Sequence, residues 1–366
     1  MKQQLIPALT EASIPGFSIL ICCYNSAKRL PQTIAALARM PAADYAVEVL
    51  VVDNASKDDT SAVAESLLGA PNFPHAGRVL YQAVPGKSHA LELGLREARY
   101  KYIVIVDDDN WLAPNYLNLA WALMEADPII GVLGGMGEPV CEGIPPTWFS
   151  QFAVDYAAAP QATCSGDVTR TNCYLYGAGM VLRKAAWDDV LDKGFASLVT
   201  EVDGSKPSGE DNEMCYALIL AGYKIWYDSE MRFLHFISAG RLTWNYLQLT
   251  YQANAVSEIE LLPWTHYLKR GLSGPDSKIK PLFWLRNGAY MLKYMSNFLI
   301  KSLQTYDLGR EGSADSIRVT YYWNAFKQCV KKEVNRDTSF FKIENFIKKA
   351  HEYSIRNKYN DFDTYN

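Results

Sequence analysis

Short apolar runs alternate with amphipathic segments along the first hundred residues. Four runs have the length and composition of buried strands: residues 17–22, 47–53, 78–82 and 102–110. Between the first two, Leu30, Ile34 and Leu37 recur at helical spacing until Pro41 ends the pattern. This alternation of strand and helix predicts a parallel sheet that is covered by helices on both faces.

Two further signals predict where the next helices begin. The segment "SKDD", residues 56–59, has the spacing of a capping box and is expected to open a helix that carries Val63 and Leu67. Residues 86–100 are amphipathic and predict a helix after Pro85 and Gly86. Farther along, "GEDNEMCYALILAGYKIW" predicts a helix with Gly222 near its end, and "MRFLHFI" predicts a strand.

Polar residues follow the predicted strands where each strand ends. In an open α/β sheet these positions converge on one crevice. They are Tyr24 with Asn25, Asp53 with Asn54, and the triplet Asp107, Asp108 and Asp109. Four neighbouring carboxylates repel one another unless a cation or hydrogen-bond donors offset them, and hard oxygen ligands suit Mg²⁺ or Mn²⁺. Each residue taken alone also fits a turn or a helix cap.

Composition excludes several classes of protein. The chain has 366 residues, of which 49% are hydrophobic and 21% charged, as in ordinary soluble globular proteins. Seven cysteines, two of them adjacent and none in a CxxC pair, favour a reducing compartment. The N-terminal segment lacks the continuous apolar core of a signal peptide, and no window reaches the roughly 18 apolar residues of a membrane span. We therefore expect a cytoplasmic protein, at most peripheral at the inner face of the membrane, with no nucleic-acid partner.

Charge is distributed unevenly along the chain. Residues 269–366 contain 18 Lys and Arg against 10 Asp and Glu, a net charge of +8, whereas residues 1–268 have a net charge of −12. A basic tail is compatible with a solvated helical appendage or with attraction to anionic lipid or an anionic acceptor.

Several motifs, taken in order, resemble one enzyme family. The segments "ILICCYNSAKRL", "VEVLVVDNASKDDT", "GKSHALELGL" and "YIVIVDDDNWLAPNYL" are similar to the nucleotide-sugar-binding half of family 2 glycosyltransferases. The resemblance continues through "YGAGMVLRKAAWDDV" and "SGEDNEMCYALILAGYKIWYDSEMRFLHF", so it covers roughly residues 15–250. It implies an α/β fold of the GT-A, Rossmann-like type, with a mainly parallel central sheet and a helical C-terminal extension.

The resemblance also implies domain boundaries. Residues 1–260 would form the catalytic domain, with a nucleotide-binding half at about 15–115 and an acceptor-binding half at about 116–260. Residues 261–366 would form the helical extension. Two departures from the family pattern are Cys22-Cys23 in the first loop, which leaves the identity of the base open, and Glu92 where the family often has Asn.

Donor-site roles carry over to named positions. The first exit loop and the Asp after the second strand would hold the nucleotide base, and the Asp triplet would face the ribose, the diphosphate and a metal ion. The implied nucleotide-sugar ligands are Cys22, Tyr24, Asn25, Asp53, Lys87, Asp107 and Asp108. Lys87 lies at a predicted helix start, where a cation and free N–H groups favour phosphate, although a solvated surface lysine is the alternative.

The implied metal ligands are Asp109 and Asp107, with His235 as a weaker candidate for Mn²⁺ or Mg²⁺. A single His among apolar residues is more often a core residue.

Catalytic roles fall on the second half of the chain. By resemblance Asp211 is the general base and Glu210 its acceptor-binding neighbour, although acidic residues also stabilise a helix N-terminus through the helix dipole. Trp148 and Trp244, with Tyr176, are candidates to stack on acceptor sugars or simply to pack in the core.

The resemblance implies an inverting, metal-dependent transfer of a sugar, expected from a UDP-sugar, to a glycan or lipid-linked acceptor in bacterial surface polysaccharide synthesis. A dinucleotide oxidoreductase would need G-x-G-x-x-G after the first strand, and a nucleotidylyltransferase a Gly-rich basic loop there; neither is present. A processive synthase would show membrane-spanning helices and a QxxRW motif, and neither is found in this sequence. The alternative of another class is a non-catalytic module that binds a sugar nucleotide or glycan.

The C-terminal hundred residues predict helices. In residues 281–303, Leu285, Ala289, Leu292 and Leu299 recur at helical spacing among basic residues, after Pro281. This helix is expected either to pack on the catalytic domain or to lie on a membrane. Residues 331–353 predict another helix.

Overall fold

The computed structural model describes residues 14–41, 43–199, 209–270, 282–334 and 338–360. Within these ranges the chain forms nine strands and ten α-helices. The strands are β1 (Ile14–Cys23), β2 (Ala46–Asp53), β3 (Ala76–Tyr81), β4 (Tyr100–Asp107), β5 (Asn110–Leu112), β6 (Ile130–Cys141), β7 (Gly166–Asp167), β8 (Met180–Arg183) and β9 (Lys224–Ile237). The helices are α1 (Leu30–Ala38), α2 (Thr60–Leu68), α3 (Lys87–Glu97), α4 (Tyr116–Ala126), α5 (Lys184–Asp192), α6 (Glu210–Leu220), α7 (Trp244–Arg270), α8 (Phe283–Gln304), α9 (Ala314–Val334) and α10 (Ser339–Asn360).

Contacts divide the chain into two compact units. The sheet unit comprises the described parts of Met1–Val140, Ala153–Asp192 and Ala221–Ile237. The helical unit comprises the described parts of Cys141–Phe152, Lys193–Leu220 and Ser238–Asn366. The predicted boundary between residues 260 and 261 falls inside α7, and the predicted domain division stays a prediction.

All nine described strands belong to one sheet in the sheet unit. Their order is β3-β2-β1-β4-β8-β6-β9-β5, and β7 pairs with β9. The pairs β2–β3, β1–β2 and β1–β4 are parallel, whereas β8 pairs antiparallel with both β4 and β6, and β9 pairs antiparallel with β5 and β7. The expected α/β fold with a central sheet and a helical C-terminal region is confirmed. The sheet, expected to be mainly parallel, is mixed, and its parallel part consists of the first four strands.

Register aligns the ends of the three central strands. Cys23 of β1 lies opposite Asp53 of β2, and Cys22 lies opposite Asp107 of β4. These strands are buried on both faces, as near-continuous apolar runs require in a parallel sheet. Helix α3 approaches β1 closely at Gly94, where an added Cβ would lie 2.1 Å from Leu20 Cδ1. The fold therefore brings the polar ends of β1, β2 and β4 to one edge.

Two local predictions were wrong. The predicted strand over 102–110 ends at Asp107, and a turn through Asp108 and Asp109 leads into β5. The predicted capping box also fails, because α2 begins at Thr60 and its N-cap residue, Asp59, makes no side-chain cap hydrogen bond. The hydroxyl of Ser56 instead accepts the backbone N–H of Asn25 at 3.0 Å.

The helical unit confirms the first predicted C-terminal helix. Helix α8 covers nearly all of residues 281–303, and Pro281 lies outside the described residues. The second prediction was imprecise: residues 331–334 end α9, residues 339–353 belong to α10, and residues 335–337 lie outside the described ranges. Among the described helices, none is both long enough and apolar enough to cross a membrane.

Candidate active site

The exit loops of β1 and β2 are joined by hydrogen bonds. Asn25 adopts a positive φ of 50°, which Asn tolerates better than most residues, and its side-chain oxygen accepts the N–H of Lys57 at 2.8 Å. The next residue, Ser26, donates its N–H to the Thr60 hydroxyl at 2.7 Å. Asn25 therefore has a structural role in holding the loop, whatever its predicted contact with a donor.

Tyr24 is an exposed aromatic side chain of this loop. Its exposed fraction is 51%, whereas the neighbouring Cys22 is half-buried within β1. An exposed aromatic ring at the end of a parallel strand is suited to stack on a planar base. The structure thus places Tyr24 where the predicted contact requires it, and the contact itself stays a prediction.

Asp53 lies at the end of β2 and is buried. Its carboxylate accepts the N–H of Ser56 at 3.0 Å and the hydroxyl of Ser61. The adjacent Asn54, which was noted as an exit residue but given no role, donates its amide to the Val84 carbonyl at 2.6 Å and accepts the N–H of Gly86 at 2.6 Å. Asn54 therefore fixes the loop that leads into α3.

Lys87 begins α3 and contacts the first member of the Asp triplet. Its Nζ lies 2.7 Å from Asp107 Oδ1, and both side chains are partly exposed. The predicted phosphate-binding cation and a predicted donor-site carboxylate are thus brought together. Gly86, with a φ of 135°, permits the turn that places Lys87 at the helix N-terminus.

Asp108 is paired with Arg29, a residue to which the sequence analysis gave no role. Arg29 Nη2 lies 2.6 Å from Asp108 Oδ2, and Nε lies 3.1 Å from Oδ1, which makes the contact bidentate. Thr33 donates its hydroxyl to the Asp108 carbonyl at 2.8 Å. Burial raises the pKa of Asp108 above its ordinary value, although the hydrogen bond from Arg29 acts in the opposite direction.

Asp109 lies beside His235. Pairing of β5 with β9 sets Asn110 opposite His235, and the N–H of Phe236 donates to the Asp109 carbonyl at 2.9 Å. This register brings His235 Nε2 to 3.4 Å from Asp109 Oδ1, with both side chains buried. These two predicted metal ligands are 126 positions apart in the chain, yet they lie side by side in the sheet unit.

The charge argument for a metal ion needs correction. Two of the carboxylates have a cation within reach, Lys87 at Asp107 and Arg29 at Asp108, and Asp109 has the His235 ring beside it. Electrostatic repulsion alone therefore does not require a bound cation. Within the described residues, no group of three or more His, Cys, Asp or Glu side chains is arranged to hold a metal ion.

Two residues nevertheless fit a magnesium or manganese site. Such ions are commonly held by one or two protein side chains, while waters and substrate phosphates complete the octahedron. Two ligands at about 2.1 Å and a right angle lie about 3 Å apart. The 3.4 Å between Asp109 Oδ1 and His235 Nε2 is close to that separation.

In the helical unit, Glu210 and Asp211 form the first turn of α6, as predicted. Gly209 precedes them with a φ of 98°, and both acidic side chains are half-buried. Asp211 Oδ1 accepts the N–H of Asn212 at 2.9 Å. These residues are placed where the helix dipole stabilises an anion, which is compatible with a base and with a simple helix cap.

Glu213, one turn farther along α6, was missed. Its exposed fraction is 1%, and its two oxygens accept the Ser197 hydroxyl at 2.5 Å, the Leu198 N–H at 2.6 Å and the Trp264 Nε1–H at 2.9 Å. Burial raises its pKa although these hydrogen bonds act in the opposite direction. Its position one helical turn after Glu210 is the signal that could have pointed to it.

The predicted acceptor aromatics are packed against each other. Trp148 has an exposed fraction of 6%, donates Nε1–H to Glu311 at 2.7 Å, and meets Trp244 edge-on with ring centroids 5.4 Å apart. Phe152 contacts both rings. Trp148 is thus buried among aromatic neighbours in this structure, and its assignment as a stacking residue stays a prediction. The assignment of half-buried Trp244 to acceptor binding stays a prediction.

Comparison with known proteins identifies the class. Residues 18–190 match the family described as glycosyl transferase family 2. This segment, just under half of the chain, is similar to glycosyl transferase family 2.

Two curated proteins are similar in sequence to parts of this chain. An N-acetylglucosaminyltransferase from Mesorhizobium japonicum is 28% identical over 229 residues, which cover 59% of this chain and 50% of the relative. Chondroitin synthase from Escherichia coli is 30% identical over 123 residues, 33% of this chain and 17% of the relative. The chain thus spans half or less of the length of these curated relatives.

Solved structures of glycosyltransferases cover most of the chain at low identity. Residues 1-349 of TarS from Staphylococcus aureus match with a TM-score of 0.47 and 17% identity, covering 88% of this chain and 92% of that one. The mannosyltransferase PcManGT from Pyrobaculum calidifontis, in complex with GDP-Man and Mn²⁺, matches with a TM-score of 0.49 and 16% identity, covering 97% and 90%.

Proposed function

We propose that this chain is an inverting glycosyltransferase that moves a sugar from a nucleotide-diphosphate sugar to a glycan or lipid-linked acceptor in bacterial surface polysaccharide synthesis. The observation that carries the proposal is the edge of the sheet unit where β1, β2 and β4 end in register. There the fold gathers Tyr24, Asp53 and the Asp triplet. The similarity to glycosyl transferase family 2 supports the reaction class, and the site supplies the residues.

The donor site follows from the chemistry of a nucleotide diphosphate. Tyr24 offers an exposed ring for the base, and Asp53, held by Ser56 and Ser61, offers a fixed acceptor for a base N–H or ribose hydroxyl. Lys87 offers a cation at the N-terminus of α3, where the helix dipole also favours phosphate oxygens. UDP-N-acetylglucosamine is the first donor to test, because the relative from Mesorhizobium japonicum is an N-acetylglucosaminyltransferase.

A divalent cation is part of the proposal. Asp109 and His235 would hold Mn²⁺ or Mg²⁺, with Asp107 as a further candidate that would have to exchange its contact with Lys87. When bound, the ion would offset the negative charge that develops on the leaving diphosphate.

Asp211 is the proposed general base. An acceptor hydroxyl oxygen forms the new bond to the anomeric carbon of the donor, the bond from that carbon to the diphosphate breaks, and Asp211 takes the hydroxyl proton. A single displacement inverts the anomeric configuration. Glu210, next to it, is proposed to hold the acceptor.

The central experiment separates chemistry from binding. Asp211→Asn keeps the size of the side chain at the start of α6, so the variant should fold like wild type. Its affinity for UDP should stay within a few-fold of the wild-type value. Sugar transfer should fall by at least 10²-fold, the lower end of about 10² to 10⁴ for loss of a general base. Asp192→Asn, at an exposed carboxylate that ends α5, is the matched control and should leave both unchanged. Near wild-type transfer by a folded Asp211→Asn variant would reduce Asp211 to a helix cap.

The alternative is a non-catalytic module that binds a sugar nucleotide or glycan. A panel of UDP-, GDP- and dTDP-sugars with Mn²⁺, read as hydrolysis or transfer, distinguishes the two. Tight binding of a donor with neither hydrolysis nor transfer to any offered acceptor would favour the module.

A further inference from the structure

Helix α8 in the helical unit has two different faces. One face is buried against α9: Trp284, Gly288 and Met291 are buried, and an added Cβ at Gly288 would lie 3.4 Å from Cys329 Cβ. Tyr294 adds to this packing by stacking on Tyr322 of α9, with ring centroids 5.3 Å apart. This face of α8 therefore packs against α9, whereas the opposite face has no such contact with the described residues to account for its exposed side chains.

The opposite face is exposed; it has aliphatic residues near both ends, and Lys293, Ser296 and Asn297 lie between them. We call it the α8 outer face and define it by Leu285, Arg286, Ala289, Lys293, Ile300 and Leu303. The exposed fractions of Leu285, Ile300 and Leu303 are 46%, 55% and 54%, and Ala289 is also exposed. From residue 285 to residue 303 the face is about 27 Å long at 1.5 Å per residue. Leu285 lies about 22 Å along the helix from Ile300, so the face combines separate aliphatic side chains with cations.

The charges on this helix are all positive. Helix α8 contains no Asp or Glu, and its basic residues are Arg286, Lys293 and Lys301. Arg286 and Lys293 are exposed on the same face as the aliphatic residues, while Lys301 lies 2.7 Å from Asp315 of α9. The residues from 269 onward, of which α8 is part, carry a net charge of +8.

We propose that the α8 outer face binds the surface of an anionic membrane, with its aliphatic side chains in the headgroup region and Arg286 and Lys293 near the lipid phosphates. Aliphatic side chains and cations on one exposed helix face can bind anionic lipid together, the former in the interface and the latter beside the phosphates. A second copy of this chain packed on the same face would bring like charges together, which is unfavourable. The anionic bilayer satisfies both features of the face.

The test uses the full chain and needs no sugar donor, so its result does not depend on the proposed transferase activity. Vesicles of phosphatidylcholine, with and without phosphatidylglycerol, are floated with the protein at low salt. Binding is expected to rise with the phosphatidylglycerol content and to fall at least ten-fold in 0.5 M NaCl, where charges are screened over a few ångströms.

Neutral substitutions test the charged row. Arg286→Gln with Lys293→Gln is expected to lower the partition coefficient about 30-fold, because each cation near an anionic surface contributes a factor of about five. The matched control is Arg39→Gln with Arg96→Gln, two exposed cations of the sheet unit, which should leave binding within two-fold.

Polar substitutions test the aliphatic residues. Ile300→Ser with Leu303→Ser is expected to weaken binding at least ten-fold to anionic vesicles, because half-exposed aliphatic side chains lose their transfer into the interface. Leu191→Ser with Leu249→Ser, at similarly exposed positions on α5 and α7, is the control and should change little. Circular dichroism confirms the fold of each variant, and the salt and lipid dependence of the wild type tests the proposal without any variant.

Three outcomes would overturn the proposal. The first is absence of wild-type binding to anionic vesicles at low salt, and the second is equal binding to neutral and anionic vesicles. The third is a wild-type dimer in solution that Ile300→Ser with Leu303→Ser converts to a monomer, which would make this face an interface between copies.

Discussion

Glu213 offers a sharp test of how α6 is held. The buried carboxylate joins α6 to Ser197 and Leu198 on one side and to Trp264 of α7 on the other. Glu213→Ala removes the acceptor and leaves two buried donors, the Leu198 N–H and the Trp264 Nε1–H, without it. Each buried donor that loses its partner costs about 1 to 3 kcal/mol. We therefore expect the free energy of unfolding to fall by about 2 to 6 kcal/mol, a large part of the roughly 5 to 15 kcal/mol of a typical domain.

Glu213→Gln separates hydrogen bonding from charge. One amide oxygen can still accept from Leu198 and Trp264, which share Oε1, and the amide nitrogen can donate to the Ser197 hydroxyl. This variant should therefore lose far less stability than Glu213→Ala at neutral pH, within about 1 kcal/mol of wild type.

The pH dependence has a definite sign. Burial raises the pKa of Glu213, so the folded chain binds this proton more tightly than the unfolded chain. The associated stability is fully present below the ordinary pKa of glutamate and is lost as pH rises through the raised pKa. Glu213→Gln stays neutral, so its stability relative to wild type should increase as pH rises from about 4 towards neutrality.

Urea unfolding followed by tryptophan fluorescence measures all three proteins. Glu65→Ala, at an exposed position of α2, is the control and should change the free energy of unfolding by less than about 0.5 kcal/mol. The reasoning fails if Glu213→Ala costs less than 1 kcal/mol, or if Gln and Ala cost the same. A Gln variant whose stability keeps a constant difference from wild type across this pH range would refute the charge argument alone.

The parallel half of the sheet was predictable from local pattern. A strand buried on both faces is nearly continuous in apolar residues, and residues 17–22 and 47–53 have that composition. The buried polar exceptions are Ser18 and Glu48, and Ser18 satisfies its hydroxyl by donating to the Glu48 carboxylate at 2.7 Å. The polar residues that end these strands were found for the same reason: Tyr24 and Asp53 interrupt apolar runs. The position of the candidate site thus follows from topology and needs no contact information.

The partners of the site residues were not predictable in this way. Arg29 and Asp108 are 79 residues apart, and Glu213 and Trp264 are 51 apart. A bidentate ion pair or a buried carboxylate depends on how separate elements meet, which no periodicity encodes. The charge argument for a metal ion failed for that reason, because it counted carboxylates without knowing which cations the fold would bring to them.

The prediction of a capping box was wrong because the same residue pattern also occurs in loops. The segment at residues 56–59 has capping-box spacing, yet the Ser56 hydroxyl accepts an N–H from the first exit loop. Ser and Asp stabilise turns and helix ends by the same kind of hydrogen bond, so the sequence leaves the choice to tertiary contacts. Helix α9 was not predicted because its buried residues face more than one neighbour, including polar Gln328 beside Glu260 of α7.

Two further predictions concern the carboxylates of the sheet unit. Asp109→Ala should abolish the increase in UDP affinity that Mn²⁺ produces in wild type, because a site of two protein ligands loses its anionic one. Asp59→Ala, at an exposed carboxylate, is the control and should keep that increase. Calorimetry measures the affinity, and a wild type whose UDP affinity does not depend on Mn²⁺ would remove the metal from the site. Arg29→Ala leaves the buried Asp108 carboxylate without its bidentate partner. The expected loss is about 1 to 3 kcal/mol at neutral pH, less than for a fully buried pair because Arg29 is partly exposed. Since the neutral acid needs no cation, this loss should shrink as pH falls through the raised pKa of Asp108, whereas Lys101→Ala, at a surface ion pair, should cost less than about 1 kcal/mol throughout. Urea unfolding at several pH values measures the free energy of unfolding of Arg29→Ala and Lys101→Ala. A loss for Arg29→Ala that does not change with pH would show that Arg29 stabilises the fold by packing and not by its charge.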